Sequence, residues 1–481
     1  MYCGDIRNSV LPMTIEFPLV TNGSQIVDSD GQVILLRGVN WSGFETDNHA
    51  PHGLWTRDCT EMLVQIKKLG YNVIRLPFSV ECLSSNWVTG IDFKNGKNQA
   101  LKDKKPLEVM DFVIQEAGRQ GLMMLLDCHR LNDFYTPQLW YGDGFSEEDW
   151  IDAWTLLAKR YKNQANVIGA DLKNNPHGTA TWGSGDIATD WRLAAERCGN
   201  AILSVNPNWL IVVEGISGSV AGQKLSKHWW GGNLEGVRNN PVRLSVANKL
   251  VYSVHEYGAG VLAREWFQRP TSEILDLLKY CWEMGFNYIA SENIAPVLIG
   301  EFGGESVNKD TVEGLWQRAL VEYIQENQLH YTYWSWNSNN GYTSGILQDD
   351  WININQQKQD LLATTLFEAP ISAVTRIAST SMLDIEIILE SNWDKRLCVL
   401  FRVTNNSGEK LAPKWKLSFI PGQVQINQIW NGKFYLQPPT ITVIPEDSGM
   451  GLAPNQVIEI GYSADKFGTN YQPSDVKLIL I

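Results

Sequence analysis

Short apolar segments of the β type recur along the chain, with amphipathic or loop stretches between them. Several are nearly continuous runs of Val, Ile and Leu, which is typical of strands buried on both faces of a sheet. Eight such strand–helix units in roughly 350 residues predict a (β/α)8 TIM barrel with some long loops. The predicted barrel strands are Val33–Trp41, Asn72–Phe78, Leu122–Arg130, Val167–Pro176, Leu210–Ile216, Leu250–Tyr257, Pro296–Gly303 and His330–Asn337.

The pattern changes in the last fifth of the chain. From Leu383 onward short alternating strands with turns are typical of an all-β immunoglobulin-like sandwich. We therefore predict two domains, a barrel over residues 18–368 and a sandwich over residues 383–481. The clearest predicted barrel helices are Glu61–Leu69, Leu107–Gln120 and Trp191–Ser204, and the clearest sandwich strands are Val399–Asn405, Trp415–Ile420, Thr440–Ile444 and Gln456–Tyr462.

Composition narrows the class of partner. The 481 residues are 44% apolar and 19% charged, as in a folded globular protein. A net charge of −13 argues against nucleic acid or an anionic membrane as partner, and no apolar run approaches the roughly 20 residues of a membrane span. The 20 Trp residues offer flat rings on which sugars stack, although a buried Trp is the more common case.

The cysteines and the N-terminus bear on the compartment. The seven cysteines are scattered, with no CxxC pair and no Cys/His cluster, so we expect free thiols and no metal site. Met1 to Pro18 lack the basic start and apolar stretch of a signal peptide. The compartment stays open, with a slight preference for a reducing one.

Polar residues stand at the ends of six of the predicted strands, on the face where a barrel builds its active site. A core alone would not require them, so their agreement predicts an active site there. They are Arg75, His129, Arg130, Asn174, Asn175, His255, Tyr257, Glu301 and Trp334.

These residues, in this order, resemble the family 5 glycoside hydrolases, in the branch of bacterial endo-1,4-β-glucanases or cellulases. The resemblance covers most of residues 20–365, and matches this long and ordered are highly specific. It is carried by Gly38-Val39-Asn40-Trp41, His52-Gly53-Leu54-Trp55, Gly70-Tyr71-Asn72-Val73-Ile74-Arg75-Leu76-Pro77, Asp190-Trp191-Arg192-Leu193-Ala194-Ala195-Glu196-Arg197, Trp229-Trp230-Gly231-Gly232-Asn233, Gly300-Glu301-Phe302-Gly303 and Trp334-Ser335-Trp336-Asn337.

The resemblance implies catalytic roles residue by residue. Glu301 matches the nucleophile of a retaining mechanism, which forms a covalent glycosyl-enzyme. Tyr257 and Arg75 match residues that orient this carboxylate and keep it ionised. Asn174 matches the residue that hydrogen-bonds the sugar 2-hydroxyl. No metal or organic cofactor is implied.

The resemblance also implies how the substrate is held. His129 and His255 match the pocket histidines that bind sugar hydroxyls. Trp55, Trp230 and Trp334 match aromatic platforms for successive glucose rings. The expected partner is cellulose or a related β-1,4-glucan, and the expected state is a monomer.

Asn175 departs from the family pattern, because the family's Asn-Glu-Pro motif reads Asn-Asn-Pro here. The acid/base residue must protonate the leaving oxygen and later deprotonate a water, and an amide can do neither. Loss of such a group typically costs about 10²–10⁴ in rate. Another carboxylate near the strand ends is an alternative acid/base, but no spacing places one opposite Glu301. The carboxylates near the strand ends are Glu45, Asp127, Glu256 and Glu305.

The region from 383 to 481 resembles the family 2 cellulose-binding sandwiches. The match is carried by Val403-Thr404-Asn405-Asn406-Ser407-Gly408, Trp415-Lys416-Leu417-Ser418-Phe419, Pro421-Gly422-Gln423, Ile429-Trp430-Asn431 and Gly468-Thr469-Asn470-Tyr471-Gln472-Pro473. It implies that Trp393 and Trp430 are two of three cellulose-binding rings. The third position falls near Asp447–Met450, where no aromatic residue stands, and Trp415 is expected in the core.

Two functions therefore stay open. The first is a cellulase-type endo-1,4-β-glucanase in which Asn175, natural or introduced, impairs hydrolysis. The second is a non-catalytic β-glucan-binding protein derived from such an enzyme. The expected function favours a secreted protein. No signal peptide is recognisable, and Cys is absent where relatives carry disulfides, so neither of these features supports secretion.

Overall fold

A computed structural model describes residues 15–262, 267, 270–338, 343–366, 375–377, 383–392, 396–405, 415–445, 453–454, 456–468 and 471–480. The chain divides into two compact units, one over Ile15–Phe367 and another that includes Glu368–Ile481. Each unit has its own buried apolar core.

The larger unit is a closed barrel of eight parallel strands, as the apolar segments predict. We number these barrel strands one to eight along the chain. Strand eight pairs with strand one, which closes the barrel. A short antiparallel hairpin, Val20–Asn22 and Gln25–Val27, precedes them. The barrel strands are Arg37–Asn40, Val73–Ser79, Met123–Arg130, Val167–Asp171, Leu210–Glu214, Leu250–Tyr257, Val297–Gly303 and His330–Tyr333.

Helices surround the barrel, and the three predicted helices are confirmed to within two residues at each end. Their boundaries follow ordinary capping chemistry: Asp58, for example, accepts the backbone N–H of Thr60. Residues 215–249, between strands five and six, form a long loop without a helix. The α-helices of this unit are Cys59–Lys68, Val80–Ser84, Pro106–Arg119, Glu147–Arg160, Trp191–Val205, Thr271–Trp282, Tyr288–Ser291, Val312–Glu326 and Gln356–Ala363, with a π turn at Glu283–Asn287 and 3-10 turns at Lys94–Gly96 and Gln99–Leu101.

The inward face changes from apolar to charged along strands two and five. Residues two apart share one face of a strand. On strand two Val73 therefore shares a face with Arg75, and on strand five Leu210 and Val212 share a face with Glu214. The apolar members belong to one buried cluster. The charged members are buried as well, and they lie nearer the carboxyl ends of the strands. These strands thus place a polar site at the carboxyl end of the barrel and a cluster of apolar side chains nearer the amino end.

Four strands end earlier than the sequence predicts: strands one and five by one or two residues, and strands four and eight by four or five. Strand four ends at Asp171 and strand eight at Tyr333, so Asn174, Asn175 and Trp334 lie just beyond them. Asn175 has a φ of 54°, in the left-handed region that no strand contains. The extended strand conformation therefore ends just before the residues that carry the side chains of the site.

The smaller unit contains two antiparallel sheets, as expected for a sandwich. Trp415 is buried between them, as predicted. In the order of pairing, one sheet contains Thr375–Ile377, Leu383–Asn392, Arg396–Asn405, Val457–Lys466 and Val424–Trp430, and the other contains Gly432–Gln437, Thr440–Pro445, Trp415–Ile420 and Ser474–Leu480.

Candidate active site

Arg75 is the centre of the polar cluster at the carboxyl ends of the barrel strands. Its guanidinium is fully buried, so its donors must be satisfied by protein groups. Nε bonds Asp171 at 2.8 Å, Nη1 bonds Glu301 and Asn40 at 2.9 Å each, and Nη2 lies 3.0 Å from Asp127 and 3.2 Å from Glu214. One cation thereby holds side chains from strands one, three, four, five and seven.

Glu301 lies on strand seven and accepts hydrogen bonds on both carboxylate oxygens. Tyr257 Oη donates to Oε2 at 2.7 Å, and Arg75 Nη1 donates to Oε1. Burial acts to raise the pKa of Glu301, but the charges of His255 and Arg75 outweigh it and lower the pKa to about 2. Burial and the neighbouring Glu301 charge raise the pKa of Tyr257 well above its usual value, so the phenol remains a donor. Glu301 is an ionised, oriented carboxylate.

His255 links the two sides of the site. Its Nε2 lies 3.1 Å from Glu214 Oε1, and its Nδ1 lies 3.3 Å from Glu301 Oε2 and 2.8 Å from Asn175 Oδ1. Burial acts to lower the pKa of His255, but the carboxylates of Glu214 and Glu301 raise it above its usual value. An imidazolium with a proton on each nitrogen satisfies these oxygen acceptors.

Asp127 and Asp171 are the other acidic neighbours of Arg75. Asp127 and Asp171 are fully buried, and burial raises the pKa of each well above its usual value despite the attraction of Arg75. The nearby charge of Glu214 acts in the same direction. Protons are therefore held on the aspartates more readily than on Glu301, and the environments separate the pKa values of neighbouring carboxyl groups.

His129 and Asn174 form a second hydrogen-bonded pair beside Arg75. His129 Nδ1 bonds Asp127 Oδ2 at 2.6 Å, and Asn174 Nδ2 bonds His129 Nε2 at 3.2 Å. Burial lowers the pKa of His129 to about 3, which leaves a neutral ring with a proton on Nδ1. The ring stacks on Trp334, with centroids 5.3 Å apart and planes 11° apart.

Residue 175 is held by its backbone. Its N–H donates to Glu214 Oε2 at 2.7 Å, and its carbonyl accepts from His177 Nδ1 at 2.8 Å. Neither bond involves the Asn175 side chain. A Cβ on Gly231, whose φ is 69°, would lie 2.4 Å from Glu214 Oε2, so only glycine fits beneath this position. The backbone at position 175 is thus fixed whatever side chain stands there.

The three predicted platform residues all border this cluster or its loops. Trp230 is 51% exposed and stacks on His177, with centroids 3.8 Å apart. Trp55 is 41% exposed and meets Trp351 edge to face at 4.9 Å. Trp334 stacks on His129, so Trp230 and Trp334 each have one ring face covered by a histidine ring.

The alternative carboxylates considered from the sequence have other partners or lie in solvent. Glu256 accepts from Trp282 Nε1 at 3.2 Å, away from the site, as strand alternation predicts. Glu45 accepts from the Gly43 N–H at 2.6 Å, and Glu305 is exposed. Asp127 is bound by His129. The carboxylate nearest Asn175 is Glu214, and both of its oxygens are engaged.

Sequence reasoning missed three members of the cluster. Asn40, Asp171 and Glu214 are fully buried and bind Arg75. Glu214 carried a readable signal, because it follows Leu210 and Val212 on one strand face and ends an apolar run. Of the other predicted residues, Arg130 bonds the carbonyl of Asp133 at 3.0 Å rather than the cluster. Trp430 belongs to the smaller unit, and Trp393 lies outside the described residues.

Among the described residues, no group of three or more His, Cys, Asp or Glu side chains has an arrangement that could hold a metal ion. Within the same residues, we found no helix with the length and apolar character needed to cross a membrane.

The site and fold are similar to those of known glucan hydrolases. The family profile described as "Cellulase (glycosyl hydrolase family 5)" matches residues 27–340. An endoglucanase of Paenibacillus polymyxa is 49% identical over 362 residues, which are 75% of this chain and 89% of that protein. The major extracellular endoglucanase of Xanthomonas campestris pv. campestris is 36% identical over 465 residues, which are 92% of this chain and 94% of that protein.

Solved structures of endoglucanases are also similar to this chain. An endocellulase from Pyrococcus horikoshii has a TM-score of 0.68 at 42% identity and covers 73% of this chain and 99% of its own, and a variant of it was solved with cellotetraose. The catalytic domain of the Xanthomonas campestris endoglucanase has a TM-score of 0.68 at 40% identity and covers 72% and 99%. The family profile, which matches more than half of a chain folded as a (β/α)8 barrel, defines the class as a glycoside hydrolase. The chain belongs to glycoside hydrolase family 5, among the endoglucanases.

Proposed function

We propose that this protein binds β-1,4-glucan as a retaining endo-1,4-β-glucanase does, and that Asn175 strongly impairs its hydrolysis. One observation carries this proposal. Glu301 Oε2 and Asn175 Oδ1 lie 3.3 and 2.8 Å from the same nitrogen of His255, so they are no more than about 6 Å apart. Retaining enzymes place their two carboxyl groups about 5–5.5 Å apart, whereas inverting enzymes need about 6.5–9.5 Å.

In this proposal Glu301 attacks the anomeric carbon while the bond to the leaving oxygen breaks. Arg75 and Tyr257 hold the attacking carboxylate, and Asn174 receives the sugar 2-hydroxyl. The leaving oxygen then needs a proton, and water later needs a base. Asn175 supplies neither, because an amide is not an acid or base at neutral pH. Substrate binding does not depend on that proton.

The substrate follows from the platforms and the relatives. Trp230 and Trp334 each stack one ring face on a histidine, and Trp55 is a partly exposed ring on a neighbouring loop, which suits successive sugar rings. Family 5 relatives are endoglucanases, and one relative was solved with cellotetraose. We assign the protein to cellulose or a related β-1,4-glucan, and we place its action outside the cell, where such polymers lie. We expect a monomer.

The decisive test is Asn175→Glu, assayed on soluble carboxymethyl-cellulose. We expect hydrolysis to rise by about 10²–10⁴-fold, because a positioned acid/base is restored on a backbone that is already fixed. Asn175→Gln is the matched control, since it has the length of Glu but no proton to give, and we expect no gain. If Asn175→Glu also gives no gain, the protein is a non-catalytic glucan-binding protein.

For the smaller unit we propose cellulose binding through Trp430. The Trp430 ring lies over Gly461 of the neighbouring strand, where a Cβ would be 2.2 Å from a ring carbon. A ring flat on a sheet can meet a flat polymer surface, and Trp393 would be its partner. Trp430→Ala should reduce the fraction pulled down on insoluble cellulose. An equal loss with Trp415→Phe in the core would indicate a fold effect instead.

A further inference from the structure

Three large aromatic side chains lie exposed on loops after barrel strands two and three, outside the site described above. Trp87 is 54% exposed, Phe134 75% and Tyr135 52%. We call these three residues the aromatic shelf. Single exposed apolar residues are ordinary, but several on joined loops form the kind of patch that marks a binding surface.

A buried polar cluster fixes the shelf from below. Asp133 accepts from Ser79 Oγ at 2.6 Å and lies 2.8 Å from His49 Nε2. His49 Nδ1 bonds the carbonyl of Trp87 at 3.1 Å, and the two rings pack with centroids 5.2 Å apart. Phe134 directly follows Asp133. The two loops of the shelf are therefore joined through buried side chains, so their backbones and the Trp87 ring are positioned before any ligand arrives.

The shelf is continuous with the substrate cleft. The Thr89 N–H donates to the Asn48 carbonyl at 3.0 Å, so the loop of Trp87 runs beside the segment that leads to Trp55. A Cβ on Gly90 would lie 3.5 Å from the Trp55 ring. On the strand-three side, the loop of Phe134 and Tyr135 begins directly after His129 and Arg130.

The chemistry of the shelf fits a neutral sugar better than a charged polymer. Flat rings stack on the apolar faces of sugars. The net charge of −13 disfavours an anionic partner. A chain already lying on Trp55 needs only to extend to reach Trp87.

We propose that the aromatic shelf is a distal subsite that holds glucose units of a β-1,4-glucan beyond those in the cleft. This inference rests on the proposed glucan binding. It predicts that long oligosaccharides bind more tightly than short ones, and that the difference depends on the shelf.

The test measures binding of cellotriose and cellohexaose by titration calorimetry in the Asn175 protein, which should not consume them. For Trp87→Ala/Phe134→Ala we expect about a tenfold loss of cellohexaose affinity and less than a twofold change for cellotriose. Trp87→Phe, which keeps a flat ring, should retain most of the affinity. Tyr280→Ala is the matched control, because Tyr280 is a 51% exposed ring on the helix Thr271–Trp282 and should have no effect.

Each other outcome overturns the inference. If the double variant binds cellohexaose as the Tyr280→Ala control does, the shelf is not a subsite. If both oligosaccharides lose affinity equally, the shelf supports the cleft rather than the distal units. If the unaltered protein binds neither oligosaccharide, the proposed function fails first, and this inference fails with it.

Discussion

The two sides of the active site are held in different ways. Glu301 is held through its side chain, by hydrogen bonds from Tyr257 and Arg75 that also determine its charge. Position 175 is held through its backbone, by Glu214 and His177. The Glu301 side therefore depends on which residue stands there, whereas the backbone bonds at position 175 do not involve its side chain. In the proposed mechanism the amide at position 175 cannot supply a proton, but the backbone that would position an acid is retained.

The largest expected effect tests the nucleophile side. With an activated aryl cellobioside and added azide, the Asn175 protein should form a glycosyl azide with retained configuration, because the leaving group needs no acid and azide needs no base. Glu301→Gln should lower this product by at least about 10³-fold, since the nucleophile is lost. Product analysis by NMR distinguishes the two anomers, and an inverted product would contradict the assignment of Glu301.

The pH dependence of the same reaction sharpens the comparison. The pKa of Glu301 is lowered to about 2, so the carboxylate is ionised throughout the range above about pH 4. We expect a flat rate of aryl cellobioside cleavage from about pH 4 to 8 in the Asn175 protein. On carboxymethyl-cellulose, whose leaving oxygen needs a proton, the Asn175→Glu variant should show a fall in rate toward alkaline pH as the restored acid loses its proton. A rate in the Asn175 protein that rises steeply between pH 4 and 6 would contradict the low pKa.

A smaller effect tests the backbone side. In the Asn175→Glu background, Glu214→Gln should lower hydrolysis by roughly tenfold to a hundredfold, because a hydrogen bond to a charged group is weakened and His255 loses a counter-charge. Glu256→Gln on the neighbouring strand is the control, since Glu256 faces Trp282, outside the site. The pH profile should shift with Glu214→Gln but not with the control. An equal effect of both variants would mean that barrel packing, not position 175, is being measured.

The smallest effect concerns stability. Asn tolerates the left-handed φ of 54° at position 175 better than Glu does. Asn175→Glu should therefore cost about 1 kcal/mol and lower the melting temperature by roughly 2 °C. Asn175→Gln should cost the same, because the strain lies in the backbone. Calorimetry that finds Asn175→Glu more stable than Asn175→Gln would show that its new charge interactions outweigh the strain.

The sequence predicted most of this architecture because the strands are strongly patterned. Apolar runs with polar ends locate the barrel strands, and family motifs locate Glu301, Arg75 and Tyr257. The strand-face pattern of Leu210, Val212 and Glu214 places Glu214 at the end of strand five, but nothing in that pattern indicates that Glu214 reaches Arg75. That contact joins residues 139 positions apart.

Local backbone detail was also out of reach. The left-handed turn at Asn175 depends on Glu214 and His177, which lie on different elements. The bond between His49 and Asp133 likewise joins two loops 84 residues apart. Periodicity describes one element at a time, so contacts between loops do not appear in it.

The impairment proposed for the amide at position 175 has a consequence for residence time on the polymer. An active endoglucanase shortens the chain it holds and leaves with the fragments. A protein that occupies the same glucan without cutting it can leave only by dissociation. We expect each bound copy to shield its stretch of cellulose from competing hydrolases for as long as it stays.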